Sequence, residues 1–180
     1  MTILILHGIT GHSGIHWQQW LHDSLVEQGH TVFMPDLPGG RYPKRSIWLN
    51  TVEEAVNDLE LDNAVIVGHS LGVVTALDFI EKTPIKIKGL ISVAGFGEDY
   101  GAELNSFFMK EKTIDFQKVL KHVQRKFVIY GDNDNYVPQE TLLALATHLQ
   151  VKPIIIPHRG HLNSDAYTTL PLLLDILSKL

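Results

Sequence analysis

The chain has 180 residues, 44% of them apolar and 19% charged, with 15 Lys plus Arg against 20 Asp plus Glu. The resulting net charge of −5 argues against a nucleic-acid binder working through a basic surface, and no polybasic run is present to hold an anionic membrane. Cysteine is absent, which removes disulfides, thiolate-ligated metals and every thiol nucleophile, and fits a cytoplasmic protein. The length is that of one domain, able to fold without a covalent or metal staple.

The chain opens on the apolar run Ile3–Leu6, too short for a signal core and with no basic segment before it. No run approaches the roughly 18 residues of a membrane span. Trp17, Trp20, Leu21 and Leu25 then share one helical face, with Gly29 as a stop. Thr31–Met34 is a second run and leads into the loop Pro35–Gly40. Trp48, Val52, Ala55, Val56 and Leu59 have helix spacing. Ala64–Val67 is a run, Leu71–Glu81 a helix ending near Pro84, and Leu90–Val93 and Phe127–Tyr130 two further runs. Thr141–Leu149 reads as helix, Pro153–Ile156 as a run and Leu170–Leu180 as a closing apolar helix.

The runs are continuously apolar rather than alternating, which predicts burial on both faces, as in a parallel sheet covered by helices. Strands separated by helices predict βαβ units. The expectation is one three-layer α/β domain over residues 1–180, without repeats or linkers. The long connection between Val93 and Phe127 reads as one or two crossover helices, and its Phe96, Tyr100, Phe107, Phe108 and Met109 are candidates to overhang a pocket.

The sharpest chemical signal is Gly68-His69-Ser70-Leu71-Gly72, between a predicted strand and a predicted helix. A G-x-S-x-G segment in that setting presents a serine on a strained turn, and its glycines are needed because a Cβ there would strike neighbouring backbone. Chance produces the pentapeptide in roughly one chain in twenty of this length. Serine is a weak nucleophile unless a base takes its proton and a carboxylate orients the base. Both residue types follow in order, each after a predicted strand: Gly131–Pro138 carries Asp132 and Asp134, and Pro157–His161 carries His158 and His161. The C-terminal ends of parallel strands share one edge of the sheet, so the three loops can converge.

On these residues, with His7-Gly8, His16-Trp17, Gly131-x-x-Asp134-x-x-Val137-Pro138 and Gly160-His161, the chain resembles the α/β-hydrolases. Specifically, it resembles the compact retinoblastoma-binding-protein-9 and YdeN-like serine hydrolases, over essentially its whole length. The resemblance implies a six-stranded parallel sheet in the order 2-1-3-4-5-6, helices on both faces and no large lid. It also implies a metal-free and cofactor-free Ser-His-Asp enzyme acting on small acyl esters. Its acid position falls on Asp134 and its histidine on His161. That leaves Asp132 as a turn residue, His158 as a loop residue, and Glu98 or Asp99 as more distant choices for the acid. The oxyanion donors it implies are the backbone N–H groups of Leu71 and Ile9. The L-x-C-x-E motif for which the mammalian member is named requires a cysteine, so that protein partner does not carry over.

Other readings compete on weaker patterns. His12 and His16 are four apart, but Gly14 between them and the lack of a neighbouring Glu argue against a zinc site. His7 is expected to fix its loop, His69 to pack or line a wall, and Trp17 to enter the core or the pocket mouth. Gly8, Gly11 and Gly14 with Asp36 imitate a dinucleotide site but depart from G-x-G-x-x-G. A hydrolase fold that only binds a ligand or partner is the third alternative. Thr10–His16, Pro38–Ile47 and Gly95–Thr113 are the expected pocket walls, and they carry no motif that names a substrate.

Overall fold

The computed structural model describes residues 1–164 and 167–180. Among these residues six strands form one sheet: β1 (Thr2–Leu6), β2 (Thr31–Phe33), β3 (Ala64–His69), β4 (Ile87–Val93), β5 (Val123–Gly131) and β6 (Ile154–Ile156). Their order is β2-β1-β3-β4-β5-β6, and every neighbouring pair is parallel. This is the order and direction implied by the sequence resemblance.

Among the described residues seven helices cover the sheet: α1 (Trp17–Glu27), α2 (Arg45–Ala55), α3 (Leu71–Lys82), α4 (Glu103–Met109), α5 (Phe116–His122), α6 (Gln139–His148) and α7 (Leu172–Leu177). Successive strand residues point to opposite faces, and the core divides accordingly. Ile3, Ile5, Val65, Val67 and Ile91 pack with Trp17 and Leu21 of α1 and Leu173 and Ile176 of α7. Leu4, Leu6 and Ile66 face the other way, against α2, α3, α5 and α6. Helix α1 ends as the sequence predicts: Gly29 has φ 81° and donates to Val26, while His30 donates to Leu25, so a left-handed residue satisfies the last carbonyls. Among the described residues no helix is long and apolar enough to cross a membrane.

Burial on both faces holds for β1, β3 and β4 but not for the outer strands. β2 and β6 are three-residue edges, and Ile155 is 50% exposed. β5 starts four residues before its apolar run, because Gln124 and Arg125 extend the ladder where the sheet meets solvent. The closing helix is shorter than Leu170–Leu180, since Pro171 sets its start and the chain leaves the helix at Ser178.

The long connection after β4 forms α4 and α5. Phe96, Phe108 and Met109 enter the core, whereas Tyr100 faces a cleft above the sheet. Buried Arg45 ties this segment down. It forms a two-pronged pair with Asp78 (2.6 and 2.9 Å) and donates to the carbonyls of Phe108, Met109 and Lys112. One guanidinium thus joins α2, α3 and the end of α4 by charge-assisted hydrogen bonds.

Gly72 sets the height of α3 against β1. A Cβ there would overlap the carbonyl oxygen of His7 and lie 2.6 Å from that of Leu6. The N-terminus of α3 therefore rests directly on the end of β1, which brings the loop from Gly8 to Gly11 over Ser70. Gly72→Ala is expected to cost about 1–3 kcal/mol through overpacking against backbone that cannot yield. A lowered urea midpoint would register it, and an unchanged midpoint would mean that this contact is looser than described.

Candidate active site

Ser70 occupies the turn between β3 and α3 with φ 52° and ψ −125°, a conformation that costs a non-glycine residue energy. The turn holds because Ser70 N–H donates to Val93 and the Ser70 carbonyl accepts from Val73. A Cβ on Gly68 would lie 3.0 Å from the Val73 backbone, so the glycine before the serine is needed for closeness. The side chain is less open than an elbow serine is expected to be. Ser70 is only 6% exposed, because the Gly8 loop and the His161 loop close over it.

The His161 Nε2 lies 2.9 Å from Ser70 Oγ, and its Nδ1 lies 2.7 Å from Asp134 Oδ2. The other Asp134 oxygen accepts from the backbone N–H groups of Tyr136 (2.8 Å) and Val137 (3.0 Å). Burial pushes the Asp134 carboxyl up, but the hydrogen bond and charge of His161, with those two N–H groups, outweigh it and hold the carboxyl below its ordinary value. Asp134 is therefore ionised throughout the neutral range, accepting from a His161 that carries its proton on Nδ1. That leaves Nε2 as the basic nitrogen facing Ser70.

The alternative acids lie elsewhere. Asp132 accepts the backbone N–H of His158 (2.7 Å), and Asn133 that of Gly160 (2.8 Å), so these two residues anchor the histidine loop without reaching the imidazole. Asp99 accepts from Ser106 and Gly101 (3.0 Å for the latter), and Glu98 lies 3.6 Å from His148. His158 is exposed, with φ 57°.

Ile9 lines the same cleft as Ser70, and Leu71 is the first residue of α3. The first N–H groups of a helix have no partner within it and carry the positive end of its dipole. Charge developing beside Ser70 thus meets the start of a twelve-residue helix. His7 fixes the loop below Ile9: its Nδ1–H donates to Gly8 O (2.8 Å) and its Nε2 accepts from Leu37 N–H (2.9 Å).

His69 does more than pack. Its Nε2–H donates to the backbone carbonyl of His161 (2.9 Å), and its ring meets those of Trp17 and His161 edge-on. Burial, with the nearby His161, pushes its pKa down to about 3, so it remains a neutral donor. Sequence placed it at the variable position of the elbow, where no pattern signals a tie to a residue 92 positions away. Trp17 is buried and donates to the Leu162 carbonyl (3.0 Å), a second fastener on the histidine loop.

The cleft encloses about 140 Å³ beside Ser70. Ile9, Thr10 and Ile15 form one wall, and Tyr100, Leu104 and Asn105 the other. Asn105 donates to the Tyr100 hydroxyl (2.6 Å); neither residue is marked by a motif. Two of the three expected wall segments contribute. Pro38–Ile47 does not: its Arg41 and Tyr42 line a separate shallow pocket with Phe107. The metal and dinucleotide readings find no setting here. His12 is exposed and its Nδ1–H bonds the Ser13 carbonyl, while His16 heads α1. Asp36 is engaged by the Ser13 N–H, and no helix starts at the Gly8–Gly14 segment.

A parallel 2-1-3-4-5-6 sheet with a serine elbow after β3, a carboxylate after β5 and a histidine after β6 defines an α/β-hydrolase fold. The sequence pattern of the serine hydrolase family matches residues 3–179, and the chain belongs to that family. It is similar to the ydeN gene product of B. subtilis, at 27% identity and TM-score 0.91, over 99% of this chain and 97% of that one. The thioesterase domain from the curacin biosynthetic pathway shares the fold at 20% identity and TM-score 0.70, covering 98% of this chain and 90% of its own. So does a structure from a study of carboxylesterases of Nitrososphaera gargenis, at 13% identity and TM-score 0.71, covering 99% and 88%. No curated protein sequence matches this one.

Proposed function

We propose that the protein is a carboxylesterase-type serine hydrolase acting on small acyl esters, with Ser70 as nucleophile, His161 as base and Asp134 as the orienting acid. The continuous relay of 2.9 and 2.7 Å hydrogen bonds through one imidazole carries this reading. The Ser70 Oγ proton passes to His161 Nε2 as Oγ bonds to the ester carbon. The oxyanion accepts from the N–H groups of Ile9 and Leu71. His161 then returns the proton to the leaving oxygen as the C–O bond breaks, giving an acyl-Ser70, and water repeats the sequence to release the acid. No metal or cofactor enters any step. The cysteine-free composition fits a cytoplasmic setting.

A fluorophosphonate tests the nucleophile directly: one adduct at Ser70 is expected, and labelling elsewhere or not at all overturns the reading. Cleft size supports short acyl groups. The space beside Ser70, about 140 Å³, is small beside the open groove next to it. Across p-nitrophenyl esters, kcat/KM is expected to be highest from acetyl to butyryl and to fall about tenfold or more by octanoyl. A rise toward octanoyl would contradict this.

A further inference from the structure

We infer that the open groove beside His161 is the leaving-group site and takes an anionic alcohol or thiol, with Arg159 recognising its charge. The inference rests on the serine-hydrolase reading above and specifies the second half of its substrate.

Direction comes from the chemistry of acyl transfer. The imidazole that accepted the Ser70 proton must deliver it to the departing oxygen or sulfur, so the leaving limb lies on the His161 side of the reacting carbon. The structure has a groove on that side. It measures about 670 Å³, is open to solvent and is continuous with the cleft through His161, Tyr136 and Asn163. The two compartments differ in kind. The smaller is walled partly by Ile9, Ile15 and Leu104. The larger is built on the acid and histidine loops, from Asn133, Asn135, His158 and Arg159 among others. An acyl limb of a few carbons fits the first and a larger hydrogen-bonding group fits the second.

Charge gives the chemical class. Arg159 places a cation on the wall of the groove. Asp132 is turned to the His158 backbone. The Arg159 guanidinium carbon stands 4.6 Å from the Tyr167 ring centroid, a contact that holds the group at the rim without neutralising it. Among the described residues no carboxylate pairs with it. It is two positions from His161 on the same loop, within reach of a carboxylate or phosphate on a leaving group held beside the imidazole.

The test uses two butyryl esters that differ only in charge, 4-(carboxymethyl)phenyl butyrate and its methyl ester, with each rate divided by its spontaneous hydrolysis. The wild-type protein is expected to favour the anion about fivefold in kcat/KM, expressed in KM, as one partly exposed charge pair supplies. Arg159→Met is expected to bring the ratio to about one, Arg159→Lys to keep most of it, and salt near 0.5 M to shrink it. A wild-type ratio of one or below, or a ratio unchanged in Arg159→Met, overturns the inference while leaving the hydrolase reading intact. Failure to cleave either ester, together with no fluorophosphonate adduct at Ser70, removes both.

Discussion

Ser70→Ala is expected to lose at least about 10³-fold in kcat toward p-nitrophenyl butyrate and to lose its fluorophosphonate adduct, with thermal stability close to wild type. Separation of activity from stability follows from the local geometry. The Ser70 side chain makes no capping bond to α3, so removing Oγ uncovers no helix N–H. Alanine meets the same φ of 52° at the same cost as serine, and the two hydrogen bonds that hold the turn use the Ser70 backbone. What is lost is the atom 2.9 Å from His161 Nε2. Residual turnover would come from the oxyanion donors and binding alone. Activity within tenfold of wild type would require another nucleophile, and with it another mechanism.

How far the sequence announced this arrangement depends on the range over which each feature is determined. β3 and the elbow are local: six buried residues, a glycine needed at Gly68 and another at Gly72, all within the nine consecutive residues 64–72 around Ser70. The sheet order came from resemblance, and parallelism from apolar runs that reflect burial wherever a strand is central. The same rule misreads β2 and β6, whose residues are mostly apolar although the strands are edges, and it misses the polar start of β5. Asp134 and His161 were legible because each follows a strand end at a family spacing. The supports around them were not. His69 reaches His161, Arg45 reaches Asp78 and Tyr100 meets Asn105 through placement in three dimensions. Histidine, arginine and tyrosine in other settings carry no sign that they will do so.

The choice between Asp134 and Asp132 turns on which oxygen each carboxylate spends. Asp134 Oδ1 accepts two backbone N–H groups, from Tyr136 and Val137, and Oδ2 accepts from His161. In Asp134→Asn the amide oxygen must stay on the side of the two backbone donors, since an NH₂ there would face two N–H groups at hydrogen-bond distance. The NH₂ is then forced toward His161 Nδ1 and donates to it. The imidazole proton moves to Nε2, which becomes a donor toward Ser70 and no longer a base. A loss of about 10²–10⁴-fold in kcat is expected, with little change in fold. Asp132→Asn is a different substitution in the same loop. Asp132 uses one oxygen to accept the His158 N–H, and an asparagine oxygen accepts it equally well. Its kcat is expected to stay within about fivefold of wild type. Measured side by side on one ester, a crippled Asp132→Asn and a near-normal Asp134→Asn would reverse the assignment, and equal losses would mean that the acid loop acts through its fold rather than through one carboxylate.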